Sequence, residues 1–182
     1  NEYLSTENEN LKKAIESSQI ALENNIEDNV SAKVLLDKES PFLKSVIVSK
    51  GSRAGIKKGM PVIHEGFLVG KTVEVNYLSS RVLLLNDLNS KIPIIIEKLG
   101  VHAILSGYGG KRPRLEYLPE GFELSESITV FTSGKDGIFP PGIPIGKTTP
   151  LEGIVEVKLF TDPDQLSFIN IILTKSVMEK NF

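Results

Sequence analysis

The chain has 182 residues, enough for one or two small domains, and is 40% hydrophobic, with 15 glycines and 10 prolines that indicate many turns. Its formal net charge of −2 argues against a nucleic-acid-binding protein, because such proteins normally carry a strong basic excess. The absence of cysteine excludes disulfides, zinc–thiolate sites and cysteine nucleophiles, and two histidines leave little for a metal site.

Residues 1–29 are predicted to form a coiled-coil helix, because the segment is polar, lacks Gly and Pro, and places apolar side chains at alternating a and d positions of a heptad. The residues of this seam are Leu4, Leu11, Ile15 and Leu22. Asn8 and Ser18 fill two further core positions, and Ile26 shifts the register by one. The narrow seam predicts self-association with another chain, and the alternative is an amphipathic helix that lies on its own domain.

From Val30 onward the apolar spacing changes to period two, and short strands alternate with turn signals at roughly 8- to 12-residue spacing. The longest aliphatic runs, Val82–Leu85 and Ile92–Ile96, have the length of strands, and no run of about 18 apolar residues could cross a membrane. This pattern predicts a mainly β protein, a sandwich or a barrel. Because the sequence starts without Met inside a helical pattern, we expect a fragment whose upstream part was removed.

Two stretches end in Gly-Lys-Thr, GFLVGKT from Gly66 to Thr72 and GIPIGKT from Gly142 to Thr148. A phosphate-binding loop needs four residues between its glycines and must open a helix, whereas here three residues intervene and the first stretch continues into the alternating Thr72–Val75. The sequence therefore predicts no nucleotide site. The two stretches indicate two related β modules, each with a glycine turn that leads into a strand.

A glycine-rich passage over residues 106–122 carries a small basic cluster, Lys111, Arg112 and Arg114. The cluster is either the solvated rim of a hairpin or a contact loop for an acidic partner, since exposed loops often carry function. Arg112 and Arg114 are therefore candidate partner-binding residues.

Three glycine- and aliphatic-rich passages follow the heptad helix in a fixed order. They read SVIVSKGSRAGIKKGMPVIHEGFLVGKTVEV from Ser45, SSRVLLLNDLNSKIPIII from Ser79 and TVFTSGKDGIFPPGIPIGKT from Thr129. The residues that carry the pattern include Gly51, Gly55, Gly59, Pro61, Gly66, Gly70, Asp87, Ser133, Gly134, Gly137, Phe139, Gly142 and Gly146. In this combination the chain resembles the MreC family of rod shape-determining proteins.

The resemblance implies a mainly β fold, with an N-terminal coiled-coil α-helix followed by two small β-barrel domains. It implies a non-catalytic scaffold of the cell-elongation machinery, without a cofactor, that lies in the periplasm and is anchored to the inner membrane by a transmembrane helix missing from this sequence. The implied partners are a second copy of the chain in a dimer or filament, the penicillin-binding transpeptidase of elongation, MreD and, indirectly, MreB, with no nucleic acid and no nucleotide.

The same resemblance predicts the domain organisation, in which strands from both ends of the β region form the first barrel. Residues 1–29 would be the coiled-coil helix, 30–96 plus 150–178 the first barrel, and 97–149 the second, inserted barrel. The residues alone equally allow a linear division.

Phe139 is a further candidate for partner binding, because Pro140 and Pro141 fix the loop that carries it. The alternative is that Phe139 plugs the end of its own barrel.

Two other functions fit parts of the sequence. Paired β-barrels occur in chymotrypsin-like serine hydrolases, and His64, Asp87 and Ser133 follow the catalytic order of that class. However, Ser133 does not lie in a Gly-x-Ser-Gly-Gly loop. Phe131 stands where the first glycine of that loop belongs, and Lys135 stands where the last one belongs. A glycan-binding module is disfavoured because Trp is absent and Tyr occurs four times. We therefore predict no catalytic, cofactor-binding or metal residues.

Overall fold

The structure is a computed structural model that describes residues 5–13, 28–39 and 44–173, with the backbone only at 36–39. Residues 5–13 are helical, and every one of them is exposed to solvent. No helix among the described residues is long and apolar enough to cross a membrane.

The rest of the described chain is built from twelve strands and two short 3-10 turns, Ser52–Ala54 and Pro163–Gln165. The strands are β1 Asn29–Glu39, β2 Lys44–Val48, β3 Pro61–His64, β4 Phe67–Val75, β5 Ser80–Leu84, β6 Lys91–Ile96, β7 Val101–Ser106, β8 Arg114–Glu116, β9 Thr129–Thr132, β10 Pro144–Leu151, β11 Ile154–Leu159 and β12 Phe168–Ile172.

These strands close into two six-stranded barrels. The first has the strand order β1-β12-β3-β4-β5-β2 and the second β10-β11-β8-β7-β6-β9, with antiparallel pairing throughout. The second barrel runs from β6 to β11 and is inserted between β5 and β12 of the first. The mainly β class with two barrels, predicted from the sequence, is confirmed.

The observed topology corrects the predicted boundaries between the barrels. The prediction places residues 91–96 in the first barrel, but they form β6, which pairs with β7 over six positions in a hairpin whose turn is 97–100. The boundary at 149 cuts through β10, and β11 also belongs to the second barrel. Both predicted boundaries separate strands of a hairpin, whose partners share one sheet because the short turn leaves no room for a crossover.

Each barrel has an apolar core, and the two cores meet. The first is filled by residues such as Val62, Val82 and Ile171. The core of the second barrel also includes Ile63, Leu68 and Ile172 from strands of the first barrel. It further includes Leu85, the residue that follows β5. Between the barrels, the rings of Phe67 and Phe160 are tilted by 41° with centroids 4.9 Å apart. Apolar packing is therefore continuous from one barrel to the other.

The glycine that precedes each Lys-Thr pair marks a close crossing of two strands. A Cβ on Gly70, in β4, would lie 2.1 Å from the carbonyl oxygen of Leu83 in β5. A Cβ on Gly146, in β10, would lie 2.3 Å from the carbonyl oxygen of Lys158 in β11. Glycine is required at both places because a side chain would collide with backbone.

The threonine of each Gly-Lys-Thr also has the same role in both barrels. The buried hydroxyl oxygen of Thr72 accepts from the N–H of Met60 at 2.9 Å, and that of Thr148 accepts from the N–H of Ile128 at 2.8 Å. The N–H of each threonine returns a hydrogen bond to the carbonyl of the same residue. The repeated stretches are therefore equivalent strand segments, in which glycine and threonine are required by strand packing.

Gly70→Ala and Gly146→Ala, made separately, should each lower the free energy of unfolding by about 1–3 kcal/mol, because the new methyl group forces the crossing strands apart. Urea denaturation measures the effect. Gly110→Ala is the matched control, since a Cβ there meets nothing within 4 Å, and it should change stability by less than about 0.5 kcal/mol. Equal effects of all three substitutions would contradict the close crossing.

Candidate partner-binding groove

Among neighbouring strands of the second barrel, β8 and β11 have the fewest paired residues. Their register holds one paired position, Arg114 opposite Glu156, and the N–H of Val157 donates to the carbonyl of Pro113 at 2.8 Å. Because β8 has only three residues, the chain leaves the wall after Glu116. A groove of about 660 Å³ lies between the segment that follows β8 and the β10–β11 hairpin.

Apolar side chains form about half of the lining of this groove, which also includes Arg114 and Glu123. The apolar side chains that are partly buried against the core of the second barrel are Leu118, Phe122, Leu124 and Val155. Leu151 and Ile154, from the hairpin between β10 and β11, remain 52% and 39% exposed at its edge. The groove thus presents apolar surface whose burial would favour association with a partner.

Arg114 provides the cationic side of the groove. Its guanidinium carbon lies 4.6 Å from the centroid of the Tyr108 ring, within the range of a cation–π contact. Its Nε lies 3.9 Å from Glu156 Oε1, and this buried nitrogen makes no hydrogen bond to any residue that the structure describes. The side chain is therefore held in position while a hydrogen-bond donor stays unused.

A carboxylate beside the groove fixes the Tyr108 ring. Glu116 accepts hydrogen bonds from the Tyr108 hydroxyl, from Ser106 Oγ at 2.8 Å and from Lys91 Nζ at 3.1 Å. These donors, the Tyr108 hydroxyl first, lower the pKa of the Glu116 carboxyl from its usual 4.5 to about 2. The hydrogen bond to Glu116 also raises the pKa of Tyr108 and that of Lys91.

The structure separates the candidate residues that the sequence grouped together. Arg114 lines the groove, whereas Arg112 is exposed on the neighbouring turn, where Lys111 Nζ lies 3.9 Å from Asp164 Oδ2. Phe139 is only 2% exposed and belongs to the core of the second barrel. A buried ring offers no surface to a partner, so Phe139 takes the alternative role, packing inside its own barrel.

Of the four residues predicted for helix self-association, Leu11 lies in the helix over 5–13 and is 55% exposed. Leu4, Ile15 and Leu22 lie outside the described residues, so the seam they would form stays a prediction.

His64, Asp87 and Ser133, which follow the order of a hydrolase triad, each contact a different part of the backbone. His64 Nδ1 lies 2.9 Å from the carbonyl oxygen of Phe168. The buried Asp87 carboxylate accepts from the backbone N–H groups of Lys44 at 2.6 Å and Asn89 at 2.7 Å. Ser133 Oγ accepts from the N–H of Lys135 at 3.3 Å. The described part of the chain also holds no cluster of three or more potential metal ligands.

Sequence reasoning missed the apolar walls of the groove. Leu118, Phe122 and Leu124 follow a strand of three residues and show neither period two nor a helical period. The available signal is the high apolar content of a passage otherwise rich in Pro, Gly and Glu.

Glu116→Gln should lower stability at neutral pH and weaken its dependence on acid. Because the pKa of Glu116 is lowered by folding, its stabilisation is present above pH 4.5 and is lost as the pH falls towards about 2. Thermal unfolding at several pH values measures this dependence. Glu126→Gln is the control, because its carboxylate is exposed and 3.5 Å from Lys98 Nζ. An unchanged acid dependence in Glu116→Gln would contradict the assignment.

Comparison with known proteins agrees with this architecture. The family model "Rod shape-determining protein MreC, barrel core" matches residues 34–173. The cell shape-determining protein MreC of Caulobacter vibrioides is 38% identical over 146 residues, which cover 80% of this chain and 42% of that protein. The chain thus spans less than half the length of this relative.

Solved structures show the same fold. The crystal structure of MreC from Pseudomonas aeruginosa superposes with a TM-score of 0.74 at 25% identity, over 80% of this chain and 99% of that chain. A chain from the complex between penicillin-binding protein PBP2 and MreC from Helicobacter pylori has a TM-score of 0.60 over 81% of this chain and 99% of that chain; at 13% identity this shows the fold alone. The resemblance found in the sequence is confirmed, and the chain belongs to the MreC family of rod shape-determining proteins.

Proposed function

We propose that this chain is part of a non-catalytic scaffold that maintains rod shape by organising the bacterial cell-elongation machinery. The proposal places it in the periplasm, anchored to the inner membrane by a helix upstream of this sequence. Its partners would be a second copy, the elongation transpeptidase, MreD and, indirectly, MreB. The family membership and the names of the relatives as cell shape-determining proteins support this role.

The observation that carries the proposal is the groove between β8 and β11. It combines apolar walls with an arginine held against an aromatic ring, and buried apolar surface with Arg and aromatic residues is typical of the energetically dominant part of a protein interface. We assign this groove to the transpeptidase, because a protein of the same fold occurs in a complex with PBP2. The Arg114 side chain, which is 37% exposed, offers its positive charge to an acceptor group on the transpeptidase.

A scaffold role also explains the contacts of the residues in hydrolase order, with no catalytic reaction required. Asp87 holds the backbone of Lys44 and Asn89, and thereby ties β2 to the segment between the barrels. His64 lies against the backbone of β12. Both contacts stabilise the arrangement of strands, which supports a structural role for these residues.

Leu151→Asp and Ile154→Asp, made separately, should each weaken binding of the transpeptidase about tenfold to thirtyfold, because a carboxylate would be desolvated at the edge of the groove. Titration calorimetry with the periplasmic part of the transpeptidase encoded in the same genome measures the affinity. Both side chains lie at the surface, Leu151 52% and Ile154 39% exposed, so the barrels should fold normally.

The control for this experiment is Leu99→Asp. Leu99 is 48% exposed on the β6–β7 turn of the same barrel and lies outside the groove. Binding that is equally weakened by Leu99→Asp, or unaffected by both groove variants, would contradict the proposed site.

The double variant Leu11→Asp/Leu22→Asp should convert helix-paired dimers to monomers, because two carboxylates in the predicted seam remove its apolar contacts. Sedimentation velocity measures the change. Asn10→Asp/Asn24→Asp adds the same charge at positions off the seam and should leave dimers intact. A Leu11/Leu22 variant that self-associates with wild-type affinity would show that the seam is not an interface.

A further inference from the structure

Several backbone segments converge on the end of the first barrel at which β1 begins. The N–H of Leu173 donates to the carbonyl of Asp28 at 2.9 Å, which places the start of β1 beside the end of β12. The loop after β2 also reaches this end, and the N–H of Ser52 donates to the carbonyl of Asn76 in the β4–β5 turn at 2.8 Å. The start of β1 therefore lies beside these loops.

Four cations lie in the loop between β2 and β3 that reaches this end. Lys50, Arg53, Lys57 and Lys58 are exposed, and none forms an ion pair with a residue that the structure describes. Residues 40–64 contain no Asp or Glu. These cations create a local positive potential in a chain of net negative charge.

A small apolar cleft lies among these cations. Its volume is about 390 Å³, and the exposed Tyr77 and Leu78 form part of its lining, together with Arg53 and Ala54. Two backbone segments pack closely at this cleft, because a Cβ on Gly51 would lie 2.0 Å from the carbonyl oxygen of Asn76. We call this surface, formed by Lys50, Arg53, Lys57, Lys58, Tyr77 and Leu78, the basic end.

The chain itself contains a segment of complementary charge. Residues 1–28 hold seven acidic side chains and two lysines, a formal charge of −5, which leaves +3 for residues 29–182 out of the total of −2. Glutamate recurs at every seventh position, at Glu2, Glu9, Glu16 and Glu23. On the predicted coiled coil this spacing equals the heptad and places all four on the face away from the seam, at the b position.

We propose that the basic end binds this acidic N-terminal segment of a second copy of the chain. The glutamate stripe would face the four cations, and an apolar side chain of the segment would enter the cleft. A second copy fits better than the same chain, because every one of residues 5–13 is exposed to solvent. The inference rests on the proposed scaffold function and adds a contact between helix and barrel to the helix seam.

A charge swap tests this contact in the full chain of 182 residues. Lys57→Glu/Lys58→Glu makes the basic end acidic, and Glu16→Lys/Glu23→Lys makes the segment basic. Each variant alone should self-associate about tenfold more weakly, because attraction at the contact becomes repulsion. A mixture of the two should restore wild-type affinity, since each variant then meets its opposite charge. Sedimentation equilibrium at low and high salt measures these affinities, and high salt should reduce the differences.

Lys147→Glu/Lys158→Glu is the matched control, because both lysines are exposed on the second barrel and neither forms an ion pair with a described residue. It should self-associate like the wild type. A mixture without restored affinity, or an unchanged affinity in Lys57→Glu/Lys58→Glu, would overturn the proposal. Loss of binding to vesicles of anionic phospholipid, with self-association unchanged, would instead assign the basic end to a lipid surface and overturn it as well.

The outcome is separable from that of the proposed function. Neither charge-swap variant alters the groove, so both should bind the transpeptidase with wild-type affinity. Failure of the charge swap with intact transpeptidase binding would remove the helix–barrel contact and leave the scaffold function in place.

Discussion

The pairing of β8 with β11 is the constraint on which the candidate binding groove depends. A closed barrel leaves no strand edge exposed, and this closure normally requires several paired positions between neighbouring strands. Here Arg114 opposite Glu156 is the single paired position of the register, supported by the hydrogen bond from Val157 to Pro113. The barrel is closed, but β8 covers only a short length of β11. The groove lies where the chain leaves β8. The same arginine thus completes the fold and lines the candidate site.

Close packing elsewhere stabilises the two barrels despite the few paired residues between β8 and β11. The close crossings at Gly70 and Gly146 hold neighbouring strands in contact, and the hydroxyls of Thr72 and Thr148 satisfy buried N–H groups at strand ends. The apolar core continues from one barrel into the other, so the groove in the second barrel and the basic end of the first are carried on one packed body. The proposed scaffold would require separate surfaces held in a fixed arrangement, and the continuous apolar packing supports that proposal.

The sequence predicts the barrels better than it predicts the site. Period-two strands and glycine turns indicate a β fold, and the resemblance supplies the two barrels. The resemblance indicates that one barrel is inserted in the other, but it does not give the strand pairing, so both predicted boundaries divide hairpins. The groove escaped prediction because β8 has three residues and its partner Glu156 lies far away in the sequence. Phe139 resembled a loop contact, yet the Thr132 hydroxyl donates to the carbonyl of Pro140 at 2.6 Å and anchors that loop to the barrel.

Hydrogen exchange of the chain, with and without the elongation transpeptidase of the same genome, tests the central claim most directly. The account predicts that binding slows amide exchange in residues 114–124 and 150–156, which form the two sides of the groove, and leaves the β6–β7 turn unchanged. Slower exchange confined to the first barrel, or unchanged exchange on both sides of the groove in a saturated complex, would contradict it.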